Sequence, residues 1–304
     1  MEKFDVIIIG AGPAGLTAAL YLGRNNASVA FIEGKVPGGK MPEQSKIENY
    51  PGFDLVSGVE LSNRMLTQAR ANHAKFIFGN VRSLNNISDC EKEVVLENGN
   101  KYLAKVIIIA SGMKNVIPLD VANIEKFNGR GVSYCAICDG AIYSGKPCAI
   151  IGGGNSAFDE APFLASVATE VHMFIRDGIT AEKKLIDDVK KIKNIVIHEN
   201  SKILELKGND KVESIVANIN GKVQEMDIKA VFPYVGFKPA TAFVEYKEIM
   251  NKYGFIQVDK NMETKIKNIF AIGDVVEKDI RQITTATSDG TIAAKVIGSR
   301  INME

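Results

Sequence analysis

Two cysteines separated by two residues, Cys135-Ala136-Ile137-Cys138, run directly into Asp139 and Gly140, and these residues carry the densest chemistry in the chain. Such a pair is a redox dithiol that cycles with its disulfide, half of a tetrahedral metal site, or a chance spacing. Zinc takes about four ligands, and the other candidates are poor. Cys148 opens an apolar run, Cys90 sits in a remote polar stretch, and His73, His172 and His198 are scattered. Redox chemistry is therefore the leading reading, no metal is expected, and Cys90 and Cys148 read as bystanders. Asp139 can move the proton that a departing thiol requires; its plainer role is a loop residue turning the chain into Gly140.

A redox pair needs an electron carrier, and the flanking sequence builds two places for one. Residues 4 to 34 read as strand, tight turn, helix, strand: Val6 to Ile9, then Gly10-Ala11-Gly12-Pro13-Ala14-Gly15, a helix to Arg24, and Val29 to Ile32 ending in Glu33. Gly10 permits the turn, Gly12 lets backbone approach a pyrophosphate, and Gly15 lets helix pack closely on strand. Phosphates would sit on the helix N-terminus near Pro13, where unpaired N–H groups favour negative charge, and Glu33 can accept from a ribose hydroxyl. The pattern restarts at Cys148, with Gly152, Gly154 and Ala157 in the same three roles, a helix from Ser156 interrupted by Pro162, and a strand from Val171 to Ile175. Arg176 stands where the first unit has its acid. A guanidinium there suits a 2′-phosphate and favours NADP over NAD; the alternative is an ordinary exposed charge. The cysteines lie between the two units, and a flavin held by one of them can take up a hydride and pass two electrons to a disulfide.

The remaining elements fit an α/β protein. Helices are expected over 58–72, 181–191 and 282–298, and strands near 76–78, 94–96, 106–110, 195–198, 202–207, 212–219, 228–232 and 269–272. At 304 residues the chain is long enough for about two domains. With 37 basic and 36 acidic side chains, it has no electrostatic reason to bind nucleic acid or an anionic membrane. Apolar runs are strand-sized, short of the ~20 residues that span a bilayer, and no leader-like segment opens the sequence. A cytoplasmic location is expected.

Taken together, Gly10 to Gly15, Gly38-Gly39, Glu48 to Gly52, Ser111-Gly112, Gly129 to Gly140, Gly152 to Ala157, Gly236 to Pro239, Gly273-Asp274-Val275 and Arg281-Gln282 resemble the low-molecular-weight bacterial thioredoxin reductases, which are FAD-dependent pyridine nucleotide-disulfide oxidoreductases. The resemblance implies an α/β fold of two Rossmann-like, three-layer ββα dinucleotide-binding domains, the second inserted in the first. The FAD domain would comprise 1–113 and 243–304, and the NADPH and disulfide domain 114–242. It implies that Gly39, Asn49, Gly273, Asp274, Arg281 and Gln282 join Gly10, Gly12, Pro13, Gly15 and Glu33 around FAD. Gly152, Gly154, Asn155, Ala157 and Arg176 would hold NADPH. Cys138 would face the flavin, Cys135 would attack the thioredoxin disulfide, and Asp139 would be the acid–base group. A homodimer and a rotation of the inserted domain are also implied.

The chain departs from the family at the nucleotide. Where the family has His-Arg-Arg-Asp and a further arginine, this sequence reads Ile175-Arg176-Asp177-Gly178-Ile179-Thr180, with Lys183 and Lys184 near enough to compensate. Lys40 replaces a usual glutamine and Ser111 a usual threonine. NADH or reduced ferredoxin as donor are therefore alternatives. Two further rivals are a ferredoxin/flavodoxin-NADP reductase, which has no need of the cysteines, and a non-catalytic flavin redox sensor.

Overall fold

The computed structural model describes residues 1–44 and 46–301. Along β1 (Glu2–Ile9), Val6 and Ile8 point into one buried layer while Ile7 and Ile9 point into another, the alternation of a strand covered on both faces. Helix α1 (Pro13–Arg24) returns the chain to β2 (Val29–Glu33), which pairs parallel with β1. Helix α2 (Gly58–Ala71) starts where the Ser57 hydroxyl accepts from Glu60 N at 3.1 Å. It leads to β3 (Lys75–Phe78), β4 (Val81–Ser88), β5 (Glu91–Leu96) and β6 (Lys101–Ile109).

Contacts divide the chain into two compact units, Met1–Lys114 with Lys238–Glu304, and Asn115–Phe237. The chain leaves the first unit through β7 (Met113–Asn115). The second unit contains α3 (Ala136–Asp139), β8 (Cys148–Ile151), α4 (Asn155–Val167), β9 (Val171–Ile175), α5 (Lys183–Val189) and β10 (Ile195–Glu199). It continues with β11 (Ser201–Lys207), β12 (Ser214–Ile219), β13 (Lys222–Met226) and β14 (Ala230–Pro233). Its core sheet is parallel, in the order β10-β9-β8-β14, and β11-β12-β13 form an antiparallel layer. The chain returns through β15 (Phe237–Pro239), which pairs with β7, and ends with β16 (Ile269–Ala271) and α6 (Ile283–Ile301).

In the first unit the sheet runs β3-β2-β1-β6-β5-β4, with β16 also on β6. Strand β6 serves two partners on one side because it is long. Antiparallel β5 pairs along Lys101–Ala104, and parallel β16 along Ile107–Ile109.

Several elements differ from the sequence expectation. Strand β4 was not expected because Val81–Ser88 buries only Leu84 fully, and β13 because Lys222–Met226 has no buried side chain; both are held by the strands beside them. Helix α4 is not interrupted at Pro162 but runs through it, with Ala161 and Leu164 anchoring that stretch in the core. The return crossing lies at 237/238 rather than 242/243, because Ala240 N donates to Gly112 O and Thr241 Oγ1 to Gly254 O, both in the first unit.

Candidate functional site

In the first unit the expected residues converge on the head of α1. Gly10 has φ +108°, and a Cβ on Gly15 would lie 2.1 Å from Gly10 O, so only glycine allows this contact of helix and strand. The N-cap, Gly12, brings no side chain to the first N–H groups of α1, and a Cβ there would meet nothing nearer than Gly39 Cα at 3.8 Å. Gly38 N donates to Ala11 O, laying the Gly38–Lys40 strap across the turn. Glu33 sits at the end of β2 as expected, its carboxylate accepting from Ala11 N at 3.1 Å and Lys35 N at 3.0 Å. Beside Gly10, the Ser111 hydroxyl is buried with no hydrogen-bond partner. An uncapped helix start, an open glycine face and an orphaned hydroxyl together fit the diphosphate and ribose of a dinucleotide.

Gly273 closes on the same helix, where its Cβ would lie 2.9 Å from Ala14 Cβ. Burial pushes the Asp274 carboxyl up, opposed by Lys278, Arg281 and Lys40. Burial likewise lowers Lys40 to about 8, against the pull of Glu43 and Asp274. Arg281 stacks 4.5 Å over Phe255 and donates to Val276 O, and Asn49 donates to Gln282 Oε1 at 3.2 Å. Asn49, Asp274, Arg281 and Gln282 thus belong to one end of this unit. The sequence reading missed Asp289, buried on α6, which accepts from Gly273 N at 2.8 Å and pairs with Lys278. Its only signal in the sequence is an acid within a helix otherwise rich in Ala, Ile and Thr.

The second glycine turn repeats the first. Gly152 has φ +141° and lies against Tyr234 O, and Gly154 is the uncapped start of α4, with Ala157 fully buried behind it. Asn155 is engaged by Glu182, donating to its carboxylate and accepting from its backbone N. Arg176 follows β9 as expected but is held by carboxylates, Asp177 Oδ2 at 2.8 Å and Asp120 Oδ2 at 3.4 Å.

Cys135 and Cys138 are bonded to each other, with Cα atoms 5.3 Å apart. Cys138 is exposed and Cys135 half-buried. Cys138 N donates to Cys135 Sγ at 3.1 Å. Cys135 is the N-cap of α3 and Cys138 lies within it, and the following Gly140 packs against Phe163 and Leu164 of α4. Ala136 N donates to the Tyr234 hydroxyl at 3.0 Å, tying the redox turn to the end of β14. Asp139 Oδ2 accepts from Ser133 Oγ at 2.6 Å. Ser133 and Tyr234 were not foreseen as site residues.

The other thiols and imidazoles stay apart from the redox pair. Cys148 is buried, its thiol pushed up to about 12 by desolvation, and Cys90 is exposed. His172 and His198 are not scattered, as the sequence suggested. Neighbouring parallel strands bring their ring nitrogens to 2.9 Å, with Glu170 on the far side of His172. Among the described residues no group of three or more His, Cys, Asp or Glu is arranged to hold a metal ion.

The family profile described as "Pyridine nucleotide-disulphide oxidoreductase" matches residues 4–290. A thioredoxin reductase of Mycoplasmopsis pulmonis is 48% identical over 299 residues, covering 98% of this chain and 97% of its own length. That of Bacillus subtilis is 40% identical over 300 residues, covering 97% and 93%. The crystal structure of Lactococcus lactis thioredoxin reductase in its FR conformation superposes with a TM-score of 0.92 at 37% identity, covering 99% of this chain and all of that one. With two uncapped glycine turns and a CxxC disulfide beside the second, this chain belongs to the pyridine nucleotide-disulphide oxidoreductase family, alongside its bacterial thioredoxin reductases.

Proposed function

We propose that this protein is a thioredoxin-disulfide reductase that passes electrons from NADPH through FAD and the Cys135–Cys138 disulfide to oxidised thioredoxin. The observation that carries this reading is the disulfide itself, formed at the start of a short helix beside α4 and provided with a backbone N–H aimed at one sulfur. FAD belongs with the first unit, around Gly10, Gly12, Pro13, Gly15, Glu33, Gly39, Asn49, Gly273, Asp274, Arg281 and Gln282. NADPH belongs with the second, on Gly152, Gly154, Asn155, Ala157 and Arg176. A homodimer in the cytoplasm completes the reading.

Bound FAD supplies a two-electron carrier that NADPH can reduce and that can in turn reduce a disulfide. Cys138, the more exposed of the two residues, accepts the electron pair as the S–S bond breaks. Cys135 Sγ leaves as a thiolate, its charge stabilised by the Cys138 N–H that already points at it. Asp139 delivers the proton that leaves Cys138 as a thiol. Cys135 thiolate then attacks one sulfur of oxidised thioredoxin, forming a mixed disulfide and expelling the other thioredoxin sulfur, which takes up a proton. Deprotonated by Asp139, Cys138 attacks Cys135 Sγ, releases dithiol thioredoxin and restores the Cys135–Cys138 bond.

The deciding experiment reduces the purified flavoprotein anaerobically with NADPH, NADH and reduced ferredoxin in parallel, then adds oxidised thioredoxin. Fast flavin bleaching by NADPH and stoichiometric thioredoxin reduction are expected. Bleaching by ferredoxin alone would refute the donor, and a reduced flavin that leaves thioredoxin oxidised would refute the reductase assignment. The carboxylates on Arg176 favour one second reading, the same disulfide chemistry run on NADH.

A further inference from the structure

The redox turn holds a buried hydroxyl that the mechanism above does not use. Ser133 is 8% exposed. Its backbone is fixed, because Ser133 N donates to Val231 O on β14 at 3.1 Å and the preceding Val132 bridges to the same residue. The Ser133 Oγ therefore projects from a strand ledge rather than from a mobile loop. Three groups surround it: Asp139 Oδ2 at 2.6 Å, Cys135 N at 3.2 Å and Cys135 O at 3.3 Å.

A hydroxyl has one proton to give and two lone pairs with which to accept. Cys135 N can only donate, so it uses one lone pair. The single proton has two possible acceptors, a carboxylate and a carbonyl. The shorter bond goes to the carboxylate, where charge assistance makes it the stronger of the two. The result is a directed relay from the Cys135 N–H through the Ser133 hydroxyl to Asp139 Oδ2. The remaining bond to the turn, Asp139 N donating to Cys135 O, orients the backbone of Asp139 but leaves its carboxylate free to rotate. Burial, and then the Asp139 carboxylate, push the Tyr143 phenol up.

We propose that Ser133 is a positioning residue for the disulfide chemistry, its hydroxyl holding the Asp139 carboxyl in place beside the Cys135–Cys138 turn. This rests on the reading of Asp139 as the acid–base group. Deleting the hydroxyl releases the orientation of the Asp139 carboxyl and takes the acceptor from the Cys135 N–H.

The test compares Ser133→Ala, Ser133→Thr and Asp139→Asn in the FAD-loaded enzyme, with steady-state thioredoxin reduction followed at saturating NADPH. FAD content and melting temperature check the fold. In Ser133→Ala kcat should fall by about tenfold while KM for thioredoxin stays in place. Ser133→Thr, which keeps the hydroxyl, should retain the wild-type kcat, and Ser133→Ala should add nothing to Asp139→Asn. A Ser133→Ala enzyme of wild-type kcat, or one whose loss lies in KM or in FAD content, overturns the proposal, as does Thr behaving like Ala. An Asp139→Asn enzyme of wild-type rate would instead remove the acid–base reading on which it rests.

Discussion

Lys40 offers a quantitative test of the first dinucleotide site. It follows the Gly38-Gly39 strap, whose backbone touches Gly12 and Ala11 at the head of α1. Burial lowers its ammonium from 10.5 to about 8 despite Glu43 and Asp274 nearby. At about 1.4 kcal/mol per pH unit, that shift is a penalty of about 3 kcal/mol for keeping Lys40 charged in the FAD-free fold. Between pH 8 and 10.5 the unfolded chain holds a proton that the folded chain has released. The FAD-free protein should therefore gain stability as pH rises through this window, and the penalty should be fully present below pH 8. A bound diphosphate favours the ammonium, so FAD binding at pH 9 should draw up close to one proton, and affinity should fall by up to about tenfold per pH unit above pH 8. Calorimetric titration of FAD into deflavinated protein, in two buffers of different ionisation enthalpy, measures the uptake directly. Lys40→Gln should abolish it. Wild-type binding without proton uptake at pH 9, or the same uptake in Lys40→Gln, would refute the reasoning.

Asp289→Ala strips Gly273 N of its acceptor and leaves the Lys278 ammonium buried without its partner. It should cost about 3 to 5 kcal/mol in denaturant unfolding, with Lys278→Met in the same chain restoring much of it. In the oxidised native protein a thiol reagent at pH 8 should count one fast cysteine, Cys90, and a second, Cys148, only after unfolding, because the buried thiol is pushed up to about 12. Asp120→Asn frees one side of the Arg176 guanidinium and should lower KM for NADPH while leaving KM for NADH in place, as read from steady-state rates with both donors.

What was legible in the sequence was what the backbone does locally. Gly10, Gly12 and Gly15 lie within six residues, and Gly15 packs on Gly10 O inside one βαβ unit, so the strand–turn–helix and its echo at Gly152 could be read from spacing. The redox pair was legible for the same reason, since Cys138 N reaches Cys135 Sγ across three residues. Strands β4 and β13 were not, because their faces are polar and only their partners hold them extended. Nor were the groups that support the site from a distance. Asp289 reaches Gly273 across 16 positions and Tyr234 reaches Ala136 across 98, and neither spacing carries a periodicity that a sequence can display.

The two nucleotide turns show how far the local reading extends. Both have the same glycine geometry, and their difference lies in the residue that ends the second strand. Glu33 accepts from Ala11 N and Lys35 N, groups that its own βαβ unit supplies, so its position was readable from that unit alone. Arg176 is held by its neighbour Asp177 and by Asp120, which lies 56 residues upstream and outside the βαβ unit. A lone arginine at a strand end argues for a 2′-phosphate; the same arginine between two carboxylates must exchange them for that phosphate, and this competition narrows the margin between NADPH and NADH. On the proposed function, donor preference turns on the pairing around Arg176, which includes a residue that the motif itself does not contain.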